Sequence, residues 1–210
     1  MTVAANPYIS TSGLILNLDA GNPRSYPGTG TAWNNALTLG NNTTLVNGPS
    51  YSTNNGGYFS FDGIDDYTTI TIPSTTGSIC FWYYYNADTV QKLIMGNNSS
   101  MIYCGGGAGG GHWYNWGNDY SFSFSWTNTS QWLNMCAVYN STTSNQFYIN
   151  GSLAQSSTTY SLTKGTTYNV AGNVYTPQSC RFSVIQVYDI ALTAEQVLQN
   201  FNALRGRYGI

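Results

Sequence analysis

The stretch "GYFSFDGIDDYTTITI" (residues 57–72) decides the fold. In its first half Phe59 and Phe61 alternate with Tyr58, Ser60 and Asp62, so the two phenylalanines share one face of an extended strand. Its second half, "YTTITI" (67–72), is rich in β-branched residues and stops at Pro73. Between the halves lie Asp62, Gly63, Asp65 and Asp66. Aspartates accept hydrogen bonds from the backbone two residues on, and glycine takes positive φ, so strand–turn–strand is the commoner reading. Carboxylates packed this closely also raise calcium, which takes several loop oxygens, and Asp62, Asp65 and Asp66 are the candidate ligands.

The same grammar runs through the chain. "GLILNLDA" (13–20) is an apolar strand ended by "GNPRSYPGTG", and Asn47-Gly48-Pro49 is a turn. "SICFWYYY" (78–85) is apolar on both faces, as a central strand is. Alternation sends Tyr84 to the face opposite Tyr83 and Tyr85; one face is core, and the other could be an open lectin-like surface. "WLNMCAVY" (132–139) and "QFYINGSLA" (146–154) read as neighbours, with Asn150-Gly151 a hairpin turn. "RFSVIQVYD" (181–189) is the last strand. Short strands punctuated by turns predict an all-β sandwich in one domain, residues 1–210.

The period changes at the C-terminus. Thr193 with Gln196 makes a capping box, and Leu192 with Val197 a hydrophobic staple around it. Val197, Leu198, Phe201 and Leu204 form an apolar stripe at helical spacing, and Gly206 is placed for the left-handed cap. One short C-terminal helix is expected to pack on the sandwich.

Composition excludes several classes. Aromatics make up 15% of the 210 residues and charged residues only 7%, with a net charge of −2. Six dispersed basic residues do not make a nucleic-acid footprint. No basic segment precedes an apolar one at the N-terminus and no run is long enough for a bilayer, so neither an export signal nor a membrane span is expected. Cys80, Cys104, Cys136 and Cys180 are far apart without CxxC spacing. They read as buried free thiols of a protein made in a reducing cytoplasm.

Several of these segments, in order, carry a resemblance. "GLILNLDAGNPRSYPGTGTAW", "LVNGPSY", "GGYFSFDGIDDY", "QWLNMCAVYN", "QFYINGSLA" and "VYDIALTAEQVLQNFNALRGRYG" resemble laminin-G-like, concanavalin A-like lectin/glucanase domains. The closest likeness is to the version in virion proteins of tailed bacteriophages, notably those infecting marine cyanobacteria. The resemblance implies a concanavalin A-like jelly roll of two antiparallel sheets. It also implies a virion structural protein: a capsid decoration or fibre/tail-surface component on the virion surface, made in the host bacterial cytoplasm. Its partners would be the major capsid or a tail/fibre protein, or further copies of itself; the alternative is a lectin-like module on host-surface glycan. Two segments depart from the family pattern: "NNALTLGNNTTL" (34–45) lacks its Asp and one Gly, and "CGGGAGGGHWYNWGNDY" (104–120) is a glycine-rich insert.

Catalysis is not expected. Glucanases of this superfamily carry glutamate nucleophile and acid on one strand, and a retaining pair stands roughly 5 Å apart. Here Glu195 is the single glutamate, placed in the first helical turn where it favours the helix dipole. His112 has no nucleophile motif beside it. No cofactor other than calcium is implied. For binding, the insert offers His112, Trp113, Tyr114, Trp116 and Asn118, with Trp126 beyond, on a flexible glycine arm. Aromatic faces with amides and hydroxyls suit sugars; packing at a sheet edge or subunit interface is preferred for them.

Overall fold

The computed structural model describes residues 8–37, 40–72, 76–85, 92–97, 101–104, 110–114, 121–125, 130–141, 144–157, 167–172 and 179–210. The strands in chain order begin with β1 (Leu14–Asp19), β2 (Ala32–Trp33), β3 (Thr43–Thr44), β4 (Ser50–Ser52), β5 (Tyr58–Asp62), β6 (Thr68–Thr71), β7 (Gly77–Tyr85) and β8 (Lys92–Gly96). They continue with β9 (Met101–Cys104), β10 (Gly110–Tyr114), β11 (Ser121–Ser125), β12 (Trp132–Ser141), β13 (Ser144–Ile149), β14 (Ser152–Ser157), β15 (Thr167–Val170) and β16 (Ser179–Tyr188). Helix α1 spans Ala194–Leu204 and runs into a 3₁₀ turn at Arg205–Tyr208. Among the described residues no helix is long and apolar enough to cross a membrane.

Two antiparallel sheets form the sandwich. The eight-stranded sheet runs β14-β13-β12-β7-β16-β5-β4, with β1 on the second half of β16; the six-stranded sheet runs β11-β10-β9-β8-β15-β6. The opening stretch behaves as its alternation predicts. Phe59 and Phe61 are buried in the core between the sheets, where Phe59 meets Tyr26 and Trp33 edge-on. Gly63 turns the chain at φ 78°. The Asn150-Gly151 turn takes positive φ at both residues, which links β13 to β14 as a type I′ hairpin requires.

Strand β7 is buried on both faces because each face has its own cover. Ile79, Phe81 and Tyr83 point into the inter-sheet core. Cys80 and Trp82 point outward and lie beneath the C-terminus: Trp82 stacks on Tyr208 at 4.0 Å and on Phe201 at 5.8 Å between ring centroids. Tyr84 shares this outer face and is half-buried. The outward aromatic face is thus closed over much of its extent by the chain's own helix.

That helix starts as its sequence dictates. Thr193 N–H donates to Gln196 Oε1 at 2.9 Å and Gln196 N–H to Thr193 Oγ1 at 3.3 Å, which completes the capping box. Leu192 and Val197 are buried in one cluster. Two expectations about the helix fail. Leu198 is 45% exposed, while Asn200 is buried instead. Asn200 accepts from Ser10 N–H at 2.7 Å and donates to Tyr188 Oη at 3.0 Å, so the N-terminal segment claims that side of the helix. Gly206 is not the left-handed cap either, because the 3₁₀ turn carries the chain on to Gly209 at φ 73°. The extension is fixed by Arg207, whose guanidinium donates to both oxygens of Asp19 at 3.0 Å.

Cys80 and Cys136 are not free thiols: they form a disulfide. They are directly opposed on β7 and β12, on the outer face under α1. Their separation of 56 residues hides the pairing from spacing rules, which read local motifs. Cys180 is buried in the core, as expected.

Candidate binding face and the acidic turn

The six-stranded sheet has a different outer surface. Directly opposed residues of antiparallel strands lie on one face, so its register sorts the residues into rows. One row is Thr68–Val170–Met95–Ile102–Trp113–Phe122. Thr68, Val170, Met95 and Ile102 are fully buried, so this is the core row. The next row, Thr69–Asn169–Gly96–Met101–Tyr114–Ser121, crosses all six strands on the opposite face. Thr71 and Thr167 pair beside it and are exposed. No residue of this row is charged, and the two apolar clusters beneath the C-terminal helix contain nothing from this sheet.

The register divides the aromatic insert. Gly110–Tyr114 pairs with both β9 and β11, so glycines 110 and 111 belong to a sheet strand and not to a flexible arm. Trp113 takes a position in the core row, whereas His112 and Tyr114 take positions on the outer face. Trp116, Asn118 and Trp126 lie outside the described residues. The register thus gives Met101 and Tyr103, His112 and Tyr114, and Ser121 and Ser123 the alternate positions of β9 to β11 opposite the core row. The alternation in "SFSFS" (121–125) was the available signal for β11.

A small cavity of about 80 Å³ opens at the β6 edge, lined by Ile15, Leu16, Asn41, Asn42, Thr43 and Thr69 to Thr71. Ligand pockets for drug-sized molecules run to about 300 Å³ and above, so this space suits water.

Asp62, Asp65 and Asp66 come together, with one oxygen of each within 4.8 Å of the others. Their hydrogen bonds build the turn. Asp62 Oδ1 accepts from Ile64 N–H at 2.8 Å and Asp65 N–H at 3.4 Å. Those donors hold the Asp62 carboxyl below its ordinary range. Asp66 is buried, and its Oδ2 accepts from Asp62 N–H at 3.0 Å. Burial, then the charges of Asp62 and Asp65, push its carboxyl up. As a calcium site the trio offers three carboxylates, two with an oxygen already committed, where the ion takes six to eight oxygens. Asp62 and Asp66 each commit one oxygen to the turn, and the Asp65 carboxylate accepts none of these hydrogen bonds.

A laminin-G-type family model, described as the concanavalin A-like lectin/glucanases superfamily, matches residues 54–198. This chain belongs to that superfamily. The concanavalin A-like sandwich is shared by solved structures of low identity. The botulinum neurotoxin serotype D binding domain is 16% identical, with a TM-score of 0.68 over 90% of this chain and 51% of that one. The binding domain of Paraclostridial Mosquitocidal Protein 1 is 14% identical, with a TM-score of 0.71 over 91% of this chain and 52% of that one. Trypanosoma rangeli sialidase in complex with sialic acid is 10% identical, with a TM-score of 0.73 over 95% of this chain and 34% of that one. The chain spans about half of each toxin binding domain and about a third of the sialidase. At these identities the likeness is one of fold. A search of curated sequences found no match.

In this concanavalin A-like domain Glu195 is exposed at the first turn of α1, where backbone and Thr193 hydrogen bonds hold its carboxyl below the usual range. Asp19 is tied to Arg207. The remaining described acids are the turn trio and the exposed Asp189.

Proposed function

We propose that this domain is a non-enzymatic adhesion module on the surface of a phage virion, a capsid decoration protein or another surface-displayed component. It docks through the outer face of its six-stranded sheet onto the major capsid protein or a tail or fibre protein. It would be made in the host bacterial cytoplasm and displayed on the virion, alone or as a homo-oligomer, and the Cys80–Cys136 disulfide removes the free-thiol argument for a reducing compartment. The observation that carries this reading is the uncharged row Thr69–Asn169–Gly96–Met101–Tyr114–Ser121, which spans a whole sheet and over which no helix packs among the described residues. A neutral surface of hydroxyls, amides and rings can be buried against protein without stripping water from ions. The placement of Glu195 and the turn-building aspartates supports a role without chemistry. The virion assignment comes from the resemblance of the sequence motifs.

Adhesion to host-surface glycan is the second reading. It is favoured by the register, which gives His112 and Tyr114 the same alternate positions as Ser121 and Ser123, residue types that suit sugars. It also matches the lectin half of the superfamily's description.

Mass spectrometry of purified particles tests the virion reading: the chain should appear at stoichiometric copy number, and its absence would overturn that reading. Binding to particles that lack it should be insensitive to added sugars. Competition by sugars would transfer the face to glycan, and release of reducing ends from polysaccharide would reveal an enzyme.

A further inference from the structure

The outer face of the eight-stranded sheet is not closed to its end. Beyond Tyr208 runs the row Ser50–Ser60–Arg181–Tyr84–Trp132. The Arg181 guanidinium carbon lies 4.5 Å from the centroid of the Tyr84 ring and 5.2 Å from that of Tyr58. Trp132 meets Tyr58 at 5.5 Å and Tyr84 at 5.6 Å, both edge-on, and Tyr208 at 4.9 Å. The cation is therefore held in an aromatic corner whose rings are braced by one another and by the C-terminus.

Arg181 has five N–H donors and is half-buried, yet no carboxylate or other acceptor pairs with it among the described residues. The hydroxyls of Tyr58 and Tyr84 have no hydrogen-bond partner there either. Stacking uses the faces of a guanidinium and leaves its N–H edge available, which matches a planar carboxylate two-to-two. Packing explains the aliphatic stem of Arg181. It does not explain a fixed, unpaired cation beside two unpaired phenols in a chain with net charge −2.

We propose that Arg181, with Tyr58 and Tyr84, forms a binding site for a sugar acid, the guanidinium taking the carboxylate and the phenols the ring hydroxyls. One cation suits a singly charged carboxylate better than a phosphate, which gathers several donors or a helix N-terminus. Asp62 stands on the same face of β5, two residues from Ser60, with its Oδ1 turned into the loop. Its charge disfavours a second anion nearby, so the site prefers an isolated carboxylate to a polyanion. Ser50 and Ser60 extend the row with further hydroxyls. This site does not depend on the virion reading. It lies on the sheet opposite the proposed docking face, so one sheet would hold the particle and the other a sugar.

The test is an NMR titration of the whole chain with methyl glucuronide and, as its neutral match, methyl glucoside. The Arg181 side-chain Nε–H signal should shift with the acid, which should bind about tenfold or more tighter than the neutral sugar, as one paired charge implies. Arg181→Met should abolish that discrimination and Arg181→Lys should retain part of it, while both keep the wild-type melting temperature. Should Arg181→Met fail to fold, Arg181→Lys and Tyr84→Leu, each weakening the acid selectively, carry the same test. Equal binding of acid and neutral sugar would overturn the proposal, as would acid binding unchanged in these variants or no shift up to the solubility of the acid. So would an Arg181 that answers only to inorganic phosphate or to a glutamate-rich peptide.

Discussion

The outer face of the eight-stranded sheet presents Trp82, Trp132, Val184 and Tyr188, and the C-terminus lies on it. The outer face of the six-stranded sheet presents half-buried Thr69 and Asn169 and exposed Thr71 and Thr167, and among the described residues no helix lies across it. Both faces belong to one sandwich over one inter-sheet core. They differ in what their alternate residues cost in water. Large aromatics must be covered, and the chain covers them itself with Phe201 and Tyr208. Threonine, asparagine and serine can stay wet. The first surface is therefore given over to stability, except at the Arg181 corner, and the second is the one we assign to a partner.

Four substitutions or treatments sharpen this contrast, in descending size. Trp82→Ala removes the ring that stacks on both Phe201 and Tyr208, and denaturant titration should show a loss of about 3–5 kcal/mol. A loss under about 1 kcal/mol would mean the helix is not a structural cover. Reducing the Cys80–Cys136 disulfide, or replacing both cysteines by alanine, frees a loop of 56 residues and should cost about 2–4 kcal/mol. Unchanged stability with and without reductant would contradict the bond. Thr193→Ala removes the N-cap and should cost about 1 kcal/mol, read as a lower melting temperature, while Thr193→Asp should retain most of it.

The smallest effect is at the acidic turn and has a sign that depends on pH. The Asp66 carboxyl is raised in the folded state, so its contribution is full below the ordinary carboxylate range and is lost as pH rises through the folded value. Asp62 is lowered and contributes in the opposite sense, present above the ordinary range and lost as pH falls through its folded value. Asp66→Asn keeps an acceptor for Asp62 N–H without the charge. Its melting temperature should exceed that of the wild type at neutral pH, and the gap should close in acid where Asp66 is already protonated. Calcium should leave the wild-type melting temperature where it is; a rise abolished by Asp65→Asn would make the trio a metal site.

The legible part of the fold was the part with strong local patterns. Phe59 and Phe61, the apolar run of β7, the Asn150-Gly151 hairpin and the Thr193–Gln196 cap all declare themselves within a few residues. Those patterns lie mostly in the eight-stranded sheet and its helix. In the six-stranded sheet only β6 was evident, because β8, β9, β10 and β15 are short runs of four or five residues, two of them containing glycine. The glycines before His112 read as a loose arm, yet two of them carry ladder pairs. The site was less legible still. Pairing across strands separates Trp113 from His112 and Tyr114, and it sets Arg181 between Tyr58 and Tyr84, whose residue numbers are far apart. The same long-range register conceals the partner of Cys80.

Co-sedimentation of the purified chain with phage particles that lack it tests the docking face most directly. Wild type should bind to saturation in a fixed ratio to the capsid or tail protein. Thr71→Arg with Thr167→Arg, both at exposed outer-face positions, should abolish binding and leave the melting temperature unchanged. Binding that survives these arginines, or a wild-type chain that stays in the supernatant, would contradict adhesion through the six-stranded sheet.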